Sequence, residues 1–132
     1  MKMPSEVKEV LSKTKPYAFA TASASGMPNV VPVGMLIPKD DETLWLVDNY
    51  LNKTLANVKE NPHASIYVWN PECPNSYQIK CSVAVENSGK DYEDAVAFAH
   101  SKKETFPAKN LLKLKVEEIY YVTPGPNAGK KI

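Results

Sequence analysis

The segment Leu46–Ser65, LVDNYLNKTLANVKENPHAS, carries the residues best suited to chemistry. Its pattern predicts a strand ending near Val47, a polar loop, and a helix from about Asn52 to Asn61 with Leu55 and Val58 turned inward. Lys53 and Thr54 fall on the first helical turn. There the backbone N–H groups have no intrahelical acceptor and the helix dipole is positive. An ammonium and a hydroxyl beside those N–H groups make a site for a terminal phosphate, an anion of charge about −2. The same residues also suit a plain helix start, with Asn52 as the cap and Lys53-Thr54 merely exposed.

Two further segments offer polar groups in useful places. Asn29–Met35, NVVPVGM, reads as strand, but Pro32 and Gly34 interrupt it. Pro belongs on an edge or at a bulge, and Gly marks a close approach of ligand or backbone. Partly unpaired N–H and C=O groups along such a strand can bind a flat heterocycle edge-on, as the pyrimidine end of an isoalloxazine requires. An edge strand bulged at Pro32 explains the pattern equally. Gln78 lies on the polar face of the best strand in the chain. Its carboxamide can donate and accept at once, or simply face solvent.

These residues depend on a mostly β scaffold. Residues 5–14 suggest a short helix with Val7, Val10 and Leu11 on one face and Ser5 as N-cap, stopped by Pro16. Strands follow over 17–23, 28–37 and 43–47, then the 52–61 helix, then a strand over 63–69. In 77–86, Tyr77, Ile79, Cys81, Val83 and Val85 alternate against Gln78, Lys80, Ser82 and Glu86. A helix over 90–103 has Tyr92, Ala95, Val96 and Ala99 at helical spacing, and a last strand spans 111–122. In that strand the apolar phase slips at Glu117-Glu118, which predicts a bulge. Six strands with short links favour a small closed or split barrel over a parallel sheet. Residues 1–132 read as one domain, with 1–4 and 124–132 as tails.

Composition narrows the chemistry. Net charge is +1, so no global field points to nucleic acid. All 16 basic residues are Lys, which excludes arginine fingers and bidentate guanidinium clamps. Two Cys and two His lack ligand spacing, so neither zinc nor a disulfide framework is expected. No Ser sits in a GxSxG elbow. No run approaches the ~18 apolar residues of a membrane span, and the polar start reads as cytoplasmic rather than exported.

The order of motifs resembles the pyridoxamine 5′-phosphate oxidase-like FMN-binding split-barrel family, above all its small FMN-binding members. The resemblance covers roughly residues 5–123. It rests on Asp48-Asn49-Tyr50, on Lys53-Thr54 followed by Ala56-Asn57, on Asn61-Pro62, and on Tyr77-Gln78-Ile79-Lys80. It implies a mainly β fold: an antiparallel split barrel of six strands with about three peripheral helices, paired as a homodimer with FMN at the interface. By that analogy Lys53 and Thr54 hold the FMN phosphate. Pro32, Val33, Gly34 and Met35 flank the isoalloxazine. Asp48 takes a position that touches the flavin, Gln78 reaches it from the neighbouring wall, and Lys80 is a basic position near phosphate or substrate.

Two departures bear on function. Pro32 or Val33 stands where the oxidases place an Arg, and the ending TPGPNAGKKI lacks their substrate-gripping Arg and His. No second clamp for a phosphorylated substrate is evident. The resemblance thus implies an FMN-binding flavoprotein acting as an oxidoreductase or flavin reductase, with a nicotinamide or other small-molecule donor, and not a true pyridoxamine phosphate oxidase. The alternatives are an FMN electron carrier, or a deazaflavin- or haem-binding relative. No side chain is required as general acid or base, because the flavin supplies the redox chemistry.

Overall fold

The alternation over 77–86 produces a strand of the expected length. In the computed structural model, which describes Met1–Ile132, β6 (Tyr77–Glu86) buries Tyr77, Ile79, Cys81 and Val83 on one face. The other elements follow in chain order. They are α1 (Ser5–Lys13), β1 (Tyr17–Ala22), β2 (Pro28–Val33), β3 (Leu36–Pro38), β4 (Thr43–Asp48), α2 (Lys53–Glu60), β5 (His63–Val68), α3 (Lys90–Lys102) and β7 (Asn110–Tyr121).

The run 28–37 is therefore two strands, and the sheet has seven strands rather than six. Its order is β2-β1-β5-β6-β7-β4-β3, with every pair antiparallel. The break has a geometric cause. β2 pairs only with β1, and β3 pairs only with β4, so the two strands lie on opposite edges. In a flat sheet those edges stand six strand spacings apart, roughly 29 Å at about 4.8 Å each. Yet only Gly34 and Met35 join Val33 to Leu36, a reach of roughly 11 Å. The sheet must curl until its edges nearly meet, and no ladder closes the gap. That is a split barrel.

Pro32 sits on an edge strand as expected, but its register with β1 runs unbroken from Tyr17↔Val33 to Ala22↔Pro28, so there is no bulge at Pro32. The bulge foreseen in the last strand is present. Lys80 faces Glu118 while Cys81 faces Val116, leaving Glu117 as the extra residue.

One core fills the barrel. It joins Phe19, Leu44, Leu46, Ile66, Ile79, Leu112, Leu114 and Ile119 with Val7, Val10 and Leu11 of α1. A smaller core lies outside the sheet, where Ala95 and Ala99 of α3 cover Trp45, Val47 and Leu111. β4 is buried on both faces because it lies between the two. Pro4, not Ser5, holds the N-cap position of α1. Its extended backbone directs its carbonyl at the Val7 and Lys8 N–H groups, and no side chain caps the helix.

The segments expected as tails touch the barrel. Met3 is buried in the core. The Ile132 N–H donates to the Ile119 carbonyl, and Lys131 pairs with Glu118 at 3.1 Å.

Candidate functional site

The start of α2 has the unsatisfied donors that an anion site needs. Asn52 occupies the N-cap and its carbonyl accepts the Ala56 N–H, but its side chain makes no cap bond. The N–H groups of Lys53, Thr54 and Leu55 find no acceptor in the protein. Lys53 is exposed and pairs with no carboxylate. Asn52 thus holds the cap position without a side-chain bond to the first turn.

The seam of the barrel faces this turn. Pro32, Val33, Gly34 and Met35 line a groove of about 260 Å³ together with Lys53 and Thr54. Six of the eight residues singled out from sequence therefore share one cavity. The groove also takes in Asn49, Tyr50 and Leu51 from the loop before α2, which sequence reasoning had not assigned to it. Tyr50 is 73% exposed, a large ring left on the surface at the rim.

Asp48 and Gln78 do not line the groove. Asp48 is fully buried and acts on the loop instead. Its carboxylate accepts the Leu51 N–H at 2.9 Å and the Asn110 side-chain amide at 2.8 Å. The segment after α3 braces the same loop. Asn49 accepts the Ala108 N–H, and the Lys109 N–H donates to the Asp48 carbonyl. Asp48 thus shapes the groove wall from behind. Gln78 lies on the outer face of the sheet. The registers give one cross-strand row: Pro32, Ala18, Tyr67, Gln78, Tyr120.

A half-buried polar network holds Thr54. The Asn29 side-chain amide donates to Thr54 Oγ1 at 3.0 Å and to Thr21 Oγ1 at 3.2 Å. The Asn57 amide donates to Thr21 Oγ1 at 3.0 Å. These contacts join β1, β2 and α2, and residues 8 to 36 apart in sequence. No local motif announces them.

A second cavity, about 700 Å³, adjoins the first and shares Gly34, Met35, Asn49 and Tyr50 with it. Lys15, Lys102 and Lys103 line it beside Phe98 and Phe106. None of the three lysines is ion-paired. Lys102 and Lys103 rest over the Phe98 and Phe106 rings at 5.2 and 5.8 Å. The sequence showed no second cluster of cations, because Lys15 and the two α3-end lysines meet only through the fold. Cys73 and Cys81 are both free. Burial first, and Glu117 second, pushes the Cys81 thiol up to about 12, so it packs as a small apolar group.

Comparison with known proteins bears on the family and the fold. The chain is 34% identical over 117 residues to an uncharacterized protein of Methanocaldococcus jannaschii, covering 86% of this chain and 77% of that one. Among solved structures, HupZ of Group A Streptococcus is 26% identical with a TM-score of 0.82, covering 96% of this chain and 99% of HupZ. An FMN-binding protein of Syntrophomonas wolfei shares the fold at 18% identity and TM-score 0.71, over 92% and 86% of the two chains. So does HutZ, described as a heme storage protein of Vibrio cholerae, at 18% identity and TM-score 0.69, over 92% and 95%. The family model of pyridoxamine 5′-phosphate oxidase matches residues 3–123, nearly the whole length, and the chain belongs to that family.

Proposed function

We propose that this protein binds FMN in the seam groove and works as an FMN-dependent oxidoreductase or flavin reductase. One observation carries the reading. The first turn of α2, with no side-chain cap, presents the free N–H groups of Lys53 and Thr54, the Lys53 ammonium and the Thr54 hydroxyl at the groove that Gly34 and Met35 also line. That donor set suits a phosphate monoester. The backbone of the seam, where the Met35 carbonyl accepts the Val47 N–H but Gly34 is unpaired, suits the edge of a planar ring. The groove alone falls below the roughly 300–1,000 Å³ of small-molecule sites, but it shares four lining residues with the larger cavity beside it. FMN in this site would supply hydride transfer at N5. The protein's own part is to anchor the phosphate, hold the ring against the seam and admit a substrate beside it. The lysine-edged second cavity suits an anionic donor or acceptor.

The reading includes a homodimer. The outer face of β1 is low: Ala18 lies between Pro32 and Tyr67, 44% exposed, and Ala20 between Val30, 66% exposed, and Ser65. Small residues there permit close approach of a second copy. Gln78 gives a further reason. It stands three strands from Pro32, roughly 14 Å along the sheet. A Gln side chain does not cross that gap, so its contact with a ligand at Pro32 needs the sheet of a second copy.

The test is the visible absorbance spectrum of the purified protein, with titration of added FMN. A flavin spectrum and release of FMN on denaturation are expected, with bleaching by NADH or NADPH for a reductase. A Soret band instead would assign haem. A protein that binds no flavin removes the proposal. Light scattering checks the dimer, and a monomer with full FMN occupancy contradicts an interface-built site.

A further inference from the structure

We infer that Asn29, supported by Thr21 and Asn57, is a positioning residue that fixes the Thr54 hydroxyl as a donor toward the groove, and so sets the preference for phosphorylated over unphosphorylated flavin. The inference rests on the FMN reading above. Its basis is the count of hydrogens in the half-buried network. A side-chain amide has two N–H hydrogens, and a hydroxyl has one hydrogen and two lone pairs. Asn29 commits both hydrogens, one to Thr21 and one to Thr54. Thr21 Oγ1 receives a second N–H from Asn57. The amides therefore approach both hydroxyl oxygens as donors.

The Thr54 hydroxyl, its oxygen already accepting from Asn29, has a proton to give. No protein atom takes it. Thr54 is 1% exposed, so the residue is held in the wall rather than swinging in solvent, yet it lines the groove. It stands beside the free N–H groups of the α2 start. Every group at that point is thus a donor. An acceptor-only ligand atom, such as a phosphate oxygen, satisfies all of them. A hydroxyl such as the riboflavin terminus brings a proton of its own and one neutral oxygen. Asn29 reaches Thr54 from β2 and Asn57 braces Thr21 from α2, so the network also ties the helix start to the strand that leads into the seam.

The experiment is a double-mutant cycle read on the ratio of FMN to riboflavin affinity, by flavin fluorescence titration of the full chain. Thr54→Val keeps the side-chain shape and removes the hydroxyl. It should lower the FMN-over-riboflavin ratio roughly tenfold, the scale of one hydrogen bond to a charged group. Asn29→Ala should lower the same ratio several-fold, and the double variant should lose no more than Thr54→Val alone. Asn57→Ala, one step further out, should lose less than Asn29→Ala and provides the second reading where Asn29→Ala does not fold. Two results overturn the inference while leaving FMN binding intact: an unchanged ratio in both Asn variants, or a double variant that loses the product of the two single effects. A wild-type protein that takes up neither flavin overturns the FMN reading itself, and the inference with it.

Discussion

Replacing Lys53 by Ala isolates the charge at the anion anchor. Lys53 is exposed on the first turn of α2, and Ala is a good helix former, so fold stability should move by no more than about 0.5 kcal/mol. The ligand should respond far more. At 4 Å, a pair of unit charges is worth about 1 kcal/mol in water and about 4 kcal/mol at an effective dielectric of 20. A half-open groove lies between those limits. Hydrogen bonds to charged groups measure about 1.5–3 kcal/mol net. The expected loss for FMN is therefore roughly 10- to 150-fold in Kd. Riboflavin, without the phosphate, should lose less than about twofold.

Salt supplies an independent check. The screening length shrinks from about 10 Å at 0.1 M to about 3 Å at 1 M. The FMN preference of the wild type should fall across that range, and that of the variant should stay nearly flat. Fluorescence titration of both flavins at the two salt concentrations measures all of this. Equal losses for FMN and riboflavin, or an unchanged salt response, would refute the phosphate role of Lys53.

Three further perturbations test the scaffold. Ile79 is fully buried in β6, and Ile79→Ala should cost about 2–5 kcal/mol of unfolding free energy in a urea titration. Asp48→Ala strips the acceptor from the Leu51 N–H and the Asn110 amide. It should cost about 1–3 kcal/mol and weaken flavin binding by loosening the 49–52 loop, both readable by denaturation and titration. The Tyr120 hydroxyl, and then Lys131, hold the Glu118 carboxyl below its ordinary value of 4.5. The tie between Glu118 and the chain end is thus fully present above that value and is lost as pH falls through the lowered one. The protection factor of the Ile132 amide, its exchange rate relative to the intrinsic rate at each pH, should fall in acid for the wild type and be less pH-dependent in Glu118→Gln.

How much of this was legible in the sequence depends on how local the cause is. The β6 alternation fixes a face residue by residue, and a two-phase β7 can only be reconciled by an extra residue at Glu117. Lys53-Thr54 were readable because a helix start advertises itself in its own turn. The break at Gly34-Met35 was not, because Pro32 and Gly34 both interrupt the run PNVVPVGMLIP and neither one says that it divides into two strands. Only the pairing of its two halves with different partners, β1 and β4, divides it. Asp48 does not line the groove but lies buried behind its wall, since its partner Asn110 comes 62 residues later. The Asn29, Thr21 and Asn57 network and the meeting of Lys15 with Lys102 and Lys103 are likewise products of closure. Each side chain taken alone looks like a surface residue.

The two-residue seam has a consequence for motion. Ladder hydrogen bonds hold every other junction of the sheet, but the edges of β2 and β3 are joined only by covalent chain. Breathing of the barrel should therefore begin there, as a hinge opening in which Gly34 and Met35 swing while the other strands stay paired. A ligand laid along the seam would bridge both edges and take the place of the absent ladder. Binding and closure of the barrel then become one equilibrium. The slowest-exchanging amides would shift most on loading, even in strands the ligand never touches.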